Sequence, residues 1–283
     1  MAQEIELKLA LPADGPQRLL AHPLLSRPPE CLDLANTYFD TPRGELEAAR
    51  MALRLRRTAD GWVQTLKTAG QSRGGLSQRG EWEWPVAGEA LDLAGLATLP
   101  PMAALPVELL ECLEPRFSTD FRRRRWHLDW QGSRIELALD EGEIRAGQRH
   151  AAIRELELEL EEGEPAALWQ LAERLAEVVA LRPANASKAA RGAALLAGHW
   201  PLPEGETALD LERRAIAALD ALGDSGDGAF LAEAQRAYAR LASLDDGDAI
   251  TRRLAQALAD ALGEGGTAAL GGEALSLARH LHA

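Results

Sequence analysis

Glu4, Glu6 and Lys8 stand at i, i+2 and i+4 in Glu4-Ile5-Glu6-Leu7-Lys8, so on a β-strand they share one face while Ile5 and Leu7 take the other. The arrangement recurs along the chain. Arg54 and Arg56 alternate with Leu53 and Leu55, and Lys67 shares a face with Thr65 against Leu66. Arg79, Glu81 and Glu83 oppose Trp82 and Trp84, while Arg123 and Arg125 share a face with Phe121. Arg134, Glu136 and Asp140 oppose Ile135, Leu137 and Leu139, and Glu155, Glu157 and Glu159 oppose Leu156, Leu158 and Leu160. The Glu-x-Glu runs offer hard oxygens of the kind Mg²⁺ and Mn²⁺ prefer. Arginine supplies the planar fork that matches phosphate oxygens. The residue types therefore point to a polyanion held together with a divalent cation, and to in-line attack by water without a nucleophilic side chain.

Two architectures would generate such faces: an open sheet with one solvated side, or a closed barrel whose lumen carries the charge. Solvated faces seldom repeat Arg-x-Arg and Glu-x-Glu, which favours the lumen. Eight basic and nine acidic groups on these faces are sustainable inside a protein only if they pair with one another or with ligands.

The elements that must position these residues follow from period-two alternation near residues 3–10, 33–40, 50–57, 62–68, 78–85, 120–130, 133–140 and 152–161. Ala59-Asp60-Gly61, Gln131-Gly132 and Glu141-Gly142 read as hairpin connections between neighbouring strands, and Gly74-Gly75 as a further turn. A helical pattern covers about 165–180, and a second follows Asn185 as N-cap. After the Pro201-Leu202-Pro203-Glu204-Gly205 linker the chain turns Ala- and Leu-rich. This predicts one domain over 1–203 and a helical bundle over 204–283, with helices near 206–222, 228–243, 247–263 and 268–282. Tyr238, His280 and His282 could be combined into a site, but the two histidines read as a solvated C-terminal end.

Composition narrows the function. With 46% hydrophobic and 27% charged residues the 283-residue chain is of ordinary globular make-up. A net charge of −13 argues against nucleic acid and anionic membranes as partners, so an anionic ligand must be drawn in locally. Cys31 and Cys112 match no metal spacing and read as buried thiols of a reducing cytoplasm. No apolar run approaches the ~18 residues of a membrane span.

Taken together, the motifs resemble those of the CYTH domain, in the triphosphate tunnel metalloenzyme superfamily, most closely bacterial inorganic triphosphatases. The resemblance covers about 2–198. It rests on Glu4-x-Glu6-x-Lys8, Tyr38-Phe39-Asp40-Thr41, Arg54-x-Arg56, Lys67, Arg79-x-Glu81, Phe121-x-Arg123-x-x-Trp126, Ile135-Glu136-x-x-x-Asp140, Glu155-x-Glu157-x-Glu159 and Ser187-Lys188-x-x-Arg191-Gly192. It implies an α+β fold: an eight-stranded antiparallel β-barrel forming a triphosphate tunnel with flanking helices, followed by the small C-terminal helical domain. By that resemblance Glu4, Glu6, Glu155, Glu157 and Glu159 hold Mg²⁺ or Mn²⁺ or orient water. Lys8, Arg54, Arg56, Lys67, Arg79, Arg123, Arg125, Arg134 and Lys188 bind the phosphates, with Glu4, Glu6, Lys8 and Lys67 nearest the chemistry. Arg79, Glu81, Arg125, Arg134, Glu136 and Asp140 serve equally well as partners that hold the other side chains straight.

The implied reaction is hydrolysis of inorganic triphosphate to pyrophosphate and phosphate. Related enzymes of thiamine or nucleoside triphosphates, a class IV adenylate cyclase, and a non-catalytic polyphosphate-binding module are the alternatives. Family members often add a CHAD domain that is rich in basic residues and histidine. The acidic tail of this chain departs from it and suggests a short or degenerate version, suited to packing or to a homodimer.

Overall fold

The structure, a computed structural model, describes residues 3–68, 71–73, 76–245, 247–265 and 270–282, with backbone alone for 3, 4, 71–73 and 77–79. The side chains of Glu4 and Arg79 and the Gly74-Gly75 turn lie outside what is described.

Among the described residues, ten antiparallel strands make one sheet: β1 (Gln3–Ala10), β2 (Glu30–Asp40), β3 (Met51–Thr58), β4 (Gly61–Thr68), β5 (Gln71–Arg73), β6 (Leu76–Val86), β7 (Glu114–Trp130), β8 (Ser133–Ala146), β9 (Arg149–Glu162) and β10 (Arg182–Pro183). Eight of them run in the order β1-β9-β8-β7-β2-β3-β4-β6, and β6 returns to pair with β1 over Gln3–Leu7, which completes the circuit. The result is the α+β barrel expected from the charged faces. The short strands β5 and β10 are accessories, one on β6 and one on β1.

Helices α1 (Gly15–Leu20), α2 (Glu45–Ala48), α3 (Leu93–Ala97), α4 (Ala166–Ala176) and α5 (Lys188–Ala197) flank the barrel, and α6 (Ala208–Ser225), α7 (Ala229–Ala242), α8 (Ala249–Gly263) and α9 (Gly271–His282) follow it. The outward faces of the strands carry the apolar residues. Leu7 and Leu9 of β1, Ile135, Leu137 and Leu139 of β8, and Leu156 and Leu158 of β9 are wholly buried beneath Leu168, Leu171 and Leu175 of α4 and Leu275 of α9. Each such side chain contributes about 1.5–3 kcal/mol on burial. On the opposite outer wall Leu53 and Leu66 lie under Leu96, Met102 and Leu109. Among the described residues, no helix is long and apolar enough to cross a membrane.

Period-two patterning therefore did its work, while the punctuation is partly different. Ala59 and Asp60 link β3 to β4, and Gln131 and Gly132 form a two-residue turn between β7 and β8 with both residues at positive φ. Glu141-Gly142 is not a turn. It lies inside β8, where Gly142 faces Phe121 across the β7 pairing, and the connection to β9 comes later, at Gly147-Gln148. The reason for the glycine is close approach: a Cβ at 142 would lie 2.1 Å from the Asp120 carbonyl oxygen and 2.5 Å from Phe121 Cα.

Other readings are corrected by local geometry. Ser187, not Asn185, caps α5, its hydroxyl accepting from the Ala190 N–H at 3.2 Å. Cys31 and Cys112 are free but exposed. Of the C-terminal histidines, His280 is exposed as expected, while the His282 side chain is buried. His280 Nε2 lies 2.9 Å from Asp248, His282 Nε2 lies 2.8 Å from Glu212, and Tyr238 is buried in the core of the helical bundle.

Because the neighbours of Gly142 are backbone atoms that cannot turn aside, Gly142→Ala should cost about 3 kcal/mol. Urea unfolding of the purified variant measures it.

Candidate functional site

The inward faces of the strands bring most of the predicted residues into one enclosure, in rows set by the register. Glu6 of β1 pairs with Glu159 of β9, which pairs with Glu136 of β8. In the next row Lys8, Glu157, Ala138 and Arg125 follow one another across β1, β9, β8 and β7. The third row holds Glu155, Asp140 and Arg123. On the facing wall Tyr38, Arg54, Thr65 and Glu83 form one row of β2, β3, β4 and β6, and Asn36 and Arg56 the next.

Beyond the third row the inward face becomes apolar. Leu34, Phe121, Ile144 and Ile153 cluster there with Leu195 of α5, so this helix covers that end of the barrel. Gly192 lets α5 settle against Phe117, which stacks on Tyr38 at 4.7 Å between centroids. Settled this way, α5 delivers Lys188 into the interior.

The cluster at that end is a closed ionic net. Lys8 Nζ lies 2.5 Å from Glu157 and 3.3 Å from Glu155. Lys188 Nζ lies 2.7 Å from Asp140 and 3.2 Å from Glu157, and also pairs with Glu155. Arg123 grips Asp140 with two hydrogen bonds of 2.8 and 2.7 Å and pairs with Glu157 as well. Phe121 lies beneath the Lys188 ammonium at 4.8 Å and the Arg123 guanidinium at 5.9 Å. Burial alone would raise the carboxyls of Glu155 and Glu157, but Lys188 and Lys8 more than offset it and hold both below the ordinary range, Glu157 well below. Lys188 is held above its usual value, against burial, by Asp140, Glu155 and Glu157.

Among the described residues, Arg54 and Arg56 on the facing wall have no carboxylate as close as those of the ionic net. Arg54 Nη2 is 3.8 Å from both Glu81 and Glu83, and its Nε is buried without a hydrogen-bond partner. Burial, with Arg54 and Arg123 close by, pushes the Arg56 guanidinium down to about 10. Its Nε donates to Asn36 Oδ1 at 2.8 Å, and Asn36 is anchored in turn on Thr119. Burial raises the Tyr38 phenol less than Arg54 and Lys188 lower it. Lys67 pairs with Glu81 at 2.8 Å, and Thr65 donates to Glu83 at 3.0 Å.

Other predicted residues are engaged away from the ionic net or lie outside the enclosure. Arg125 is turned toward Glu30 at 2.6 Å and Glu136 at 3.2 Å. Arg134 does not join the enclosure: the register slips between Arg134 and Ile135, and its side chain lies half exposed on Glu162. Asp40 is a turn residue, accepting from the N–H groups of Thr41, Leu46 and Glu47. Asn36 and Phe121, by contrast, belong to the enclosure without having been picked out as site residues. Shared strand parity with Tyr38 and Arg123 is the signal that marks them.

Two groupings among the described residues bring ligand atoms close enough for a metal ion, Asp140 with Glu155 and Glu157, and His127 with Glu136 and Glu161. The first is taken up by Lys8, Lys188 and Arg123 in this structure. The adjoining Glu6 and Glu159, paired across strands, add two more carboxylates on the same inward face. This all-oxygen donor set fits Mg²⁺ or Mn²⁺.

Since the folded carboxyls of Glu155 and Glu157 lie below their ordinary value of 4.5, their contribution to stability is complete above that value and fades as pH falls through the lower folded one. The difference in urea midpoint between wild type and Glu157→Gln should therefore stay constant from about pH 7 to 5 and narrow below about 4.5.

Residues 2–193 match the model of the CYTH domain. An inorganic triphosphatase of Haemophilus influenzae is 40% identical over 197 residues, 68% of this chain and 54% of that protein, so the chain spans about half the length of the curated relative it matches. Among solved structures, a candidate adenylyl cyclase of Hippeastrum with a dominant triphosphatase activity is 24% identical at a TM-score of 0.48, covering 69% of this chain and 96% of its own. A candidate adenylate cyclase of Bacillus halodurans is 20% identical at 0.40, covering 62% and 90%. Superpositions this loose bear on neither substrate nor mechanism. The family match, in contrast, begins at β1, takes in every strand of the barrel and reaches into α5: this chain belongs to the CYTH domain family.

Proposed function

We propose that this protein hydrolyses the terminal phosphoanhydride of a triphosphate, with inorganic triphosphate as the substrate, inside the barrel and with Mg²⁺ or Mn²⁺. The observation that carries the reading is the cationic wall. Arg54 keeps a buried N–H without a partner, and Arg56 is pushed down to about 10 by burial beside Arg54 and Arg123. Both conditions are relieved by an anion that accepts hydrogen bonds and supplies negative charge. A chain of phosphates does this at several points along an enclosure, and the name of the Haemophilus influenzae relative agrees with it.

The roles divide by chemistry. Arg54, Arg56 and Arg123 donate to non-bridging oxygens, and Lys8, Lys67 and Lys188 balance the charge that grows on the leaving pyrophosphate. Asn36 and Asp140 keep Arg56 and Arg123 extended, so that little side-chain freedom is lost on binding. Glu6 and Glu159, with Glu4 and Glu157, hold the divalent cation. When bound, it draws charge from the phosphate oxygens and makes a water more acidic. A carboxylate of this set orients the attacking water and takes its proton. No organic group is required by any lumen residue named above, which is why inorganic triphosphate is placed ahead of thiamine and nucleoside triphosphates.

Phosphate release from inorganic triphosphate, ATP and thiamine triphosphate, each with Mg²⁺, Mn²⁺ or EDTA, tests the proposal. Metal-dependent release from inorganic triphosphate is expected, with Glu6→Gln lowering kcat by about a hundredfold while leaving binding largely intact. Arg56→Ala removes a charge-assisted contact made to substrate and transition state alike, and should raise KM by about tenfold or more as well as slowing turnover. Tight binding with no release from any of the three would leave a binding module, and preferential release from ATP or thiamine triphosphate would reassign the substrate.

A further inference from the structure

Outside the enclosure, a second group of buried charges lies where the C-terminal helices meet the barrel. Asp220 and Asp224 stand one turn apart near the C-terminal end of α6, with side chains only 8% and 2% exposed. Neither place suits a carboxylate, because the helix dipole is negative at that end and burial removes water. Each is held by partners that lead toward the lumen. Asp220 accepts from Arg182 at 2.6 Å and from the backbone N–H groups of Asn185 and Ala186 at 3.0 and 3.1 Å, fixing the stretch that runs into Ser187 and α5.

Asp224 accepts from Arg191 of α5, at 3.0 and 3.1 Å from Nε and 2.6 Å from Nη2. Arg191 in turn donates to Glu155 Oε2 at 3.4 Å and to the Ala152 carbonyl at 2.6 Å. Glu155 Oε1 is the oxygen shared by Lys8 and Lys188. The chain of contacts from Asp224 to the two lumen ammonium groups thus has no gap. It also has a direction. Arg191 divides its hydrogen bonds to carboxylates between Asp224 and Glu155, and the shorter ones, 2.6 to 3.1 Å against 3.4 Å, go to Asp224. Without the Asp224 charge, Arg191 keeps the Ala152 carbonyl and is left with Glu155 as its carboxylate partner, where it competes with Lys8 and Lys188. Arg191 and Lys188 also share α5 three residues apart, so loosening one loosens the entry angle of the other.

We propose that Asp224 is a positioning residue for the barrel, acting through Arg191 and Glu155 on Lys8 and Lys188, so that α6 is part of the working site and not only an appended helix. This rests on the reading of the lumen as a triphosphate site.

The test uses the full chain. Calorimetric titration with inorganic triphosphate in EDTA gives Kd and stoichiometry, and turnover with Mg²⁺ is then expressed per binding-competent site. Asp224→Asn should weaken Kd and lower turnover per site by about tenfold each, at unchanged stoichiometry. Asp224→Glu should restore most of both. Glu173→Gln, which removes the 2.6 Å contact from Arg279 of α9 to α4 and so loosens the bundle elsewhere, should match wild type. Arg191→Lys, which keeps a cation but cannot span both carboxylates, provides a second variant if Asp224→Asn does not fold, and should weaken binding in the same direction. A wild-type Kd and wild-type turnover per site in Asp224→Asn, or in Arg191→Lys where that variant is the one that folds, would overturn the proposal and make Asp224 a docking contact. Wild-type protein that binds inorganic triphosphate without hydrolysing it would overturn the triphosphatase reading alone, because the Kd comparison still decides the role of Asp224. Absence of binding by the wild type would overturn both.

Discussion

Two ammonium groups and a guanidinium, those of Lys8, Lys188 and Arg123, buried against the carboxylates of Asp140, Glu155 and Glu157, are the interaction on which the rest of this barrel depends. Each ion taken from water costs several kcal/mol unless its partners are in place, so the net tolerates no missing member. Those members come from β1, β7, β8, β9 and α5, elements spread over most of the barrel domain. Pairing of the first strand and docking of the last helix of that domain are therefore conditions for burying any of the others. Leucine-rich outer faces, packed beneath α4 and α9, supply the stabilisation that makes this interior tolerable.

The opposite wall departs from that balance, and the departure is informative. Arg54 and Arg56 have amide, hydroxyl and loosely placed carboxylate neighbours where the other wall has tight ion pairs. Positive charge without a full complement of anions lowers stability, and sites of this kind persist where binding uses the deficit. The balanced wall has its own function in such a scheme. On the proposed reading, a polyanion that reaches Lys8 and Lys188 would share them with Glu155 and Glu157, which hold the ammonium groups in place in this structure.

Much of this arrangement is legible in the sequence because strand parity assigns faces without any knowledge of the fold. Spacing alone places Lys8, Arg54, Arg56, Arg123 and Glu157 on the charged faces of their strands. Parity does not reveal which charge meets which. Glu155 has the spacing of a metal ligand, yet cross-strand register and the arrival of α5 give its oxygens to Lys8, Lys188 and Arg191. Arg134 keeps the right parity but sits past a register slip. Gly142 reads as a turn because glycine usually marks one, while here it makes room for Phe121 within a strand, a contact 21 residues away in sequence that local patterning cannot express. The C-terminal histidines find Asp248 and Glu212 by the same long-range route.

The limits of the family match and of the physical unit are also different. The match ends at residue 193, just after Arg191, but the carboxylate that takes most of the Arg191 hydrogen bonds is contributed by residue 224. The apolar cover of β1, β8 and β9 likewise includes Leu275 and Ala278 of α9. A barrel cut at the end of the match would keep the charged lumen residues named above while losing Leu195 of α5 and exposing leucines on its outer face. It would also leave Arg191 with Glu155 in place of the Asp224 carboxylate. In physical terms the C-terminal helices complete both the core and the charge balance of the domain that precedes them, so the smallest chain that reproduces this interior is longer than the segment by which the family is recognised.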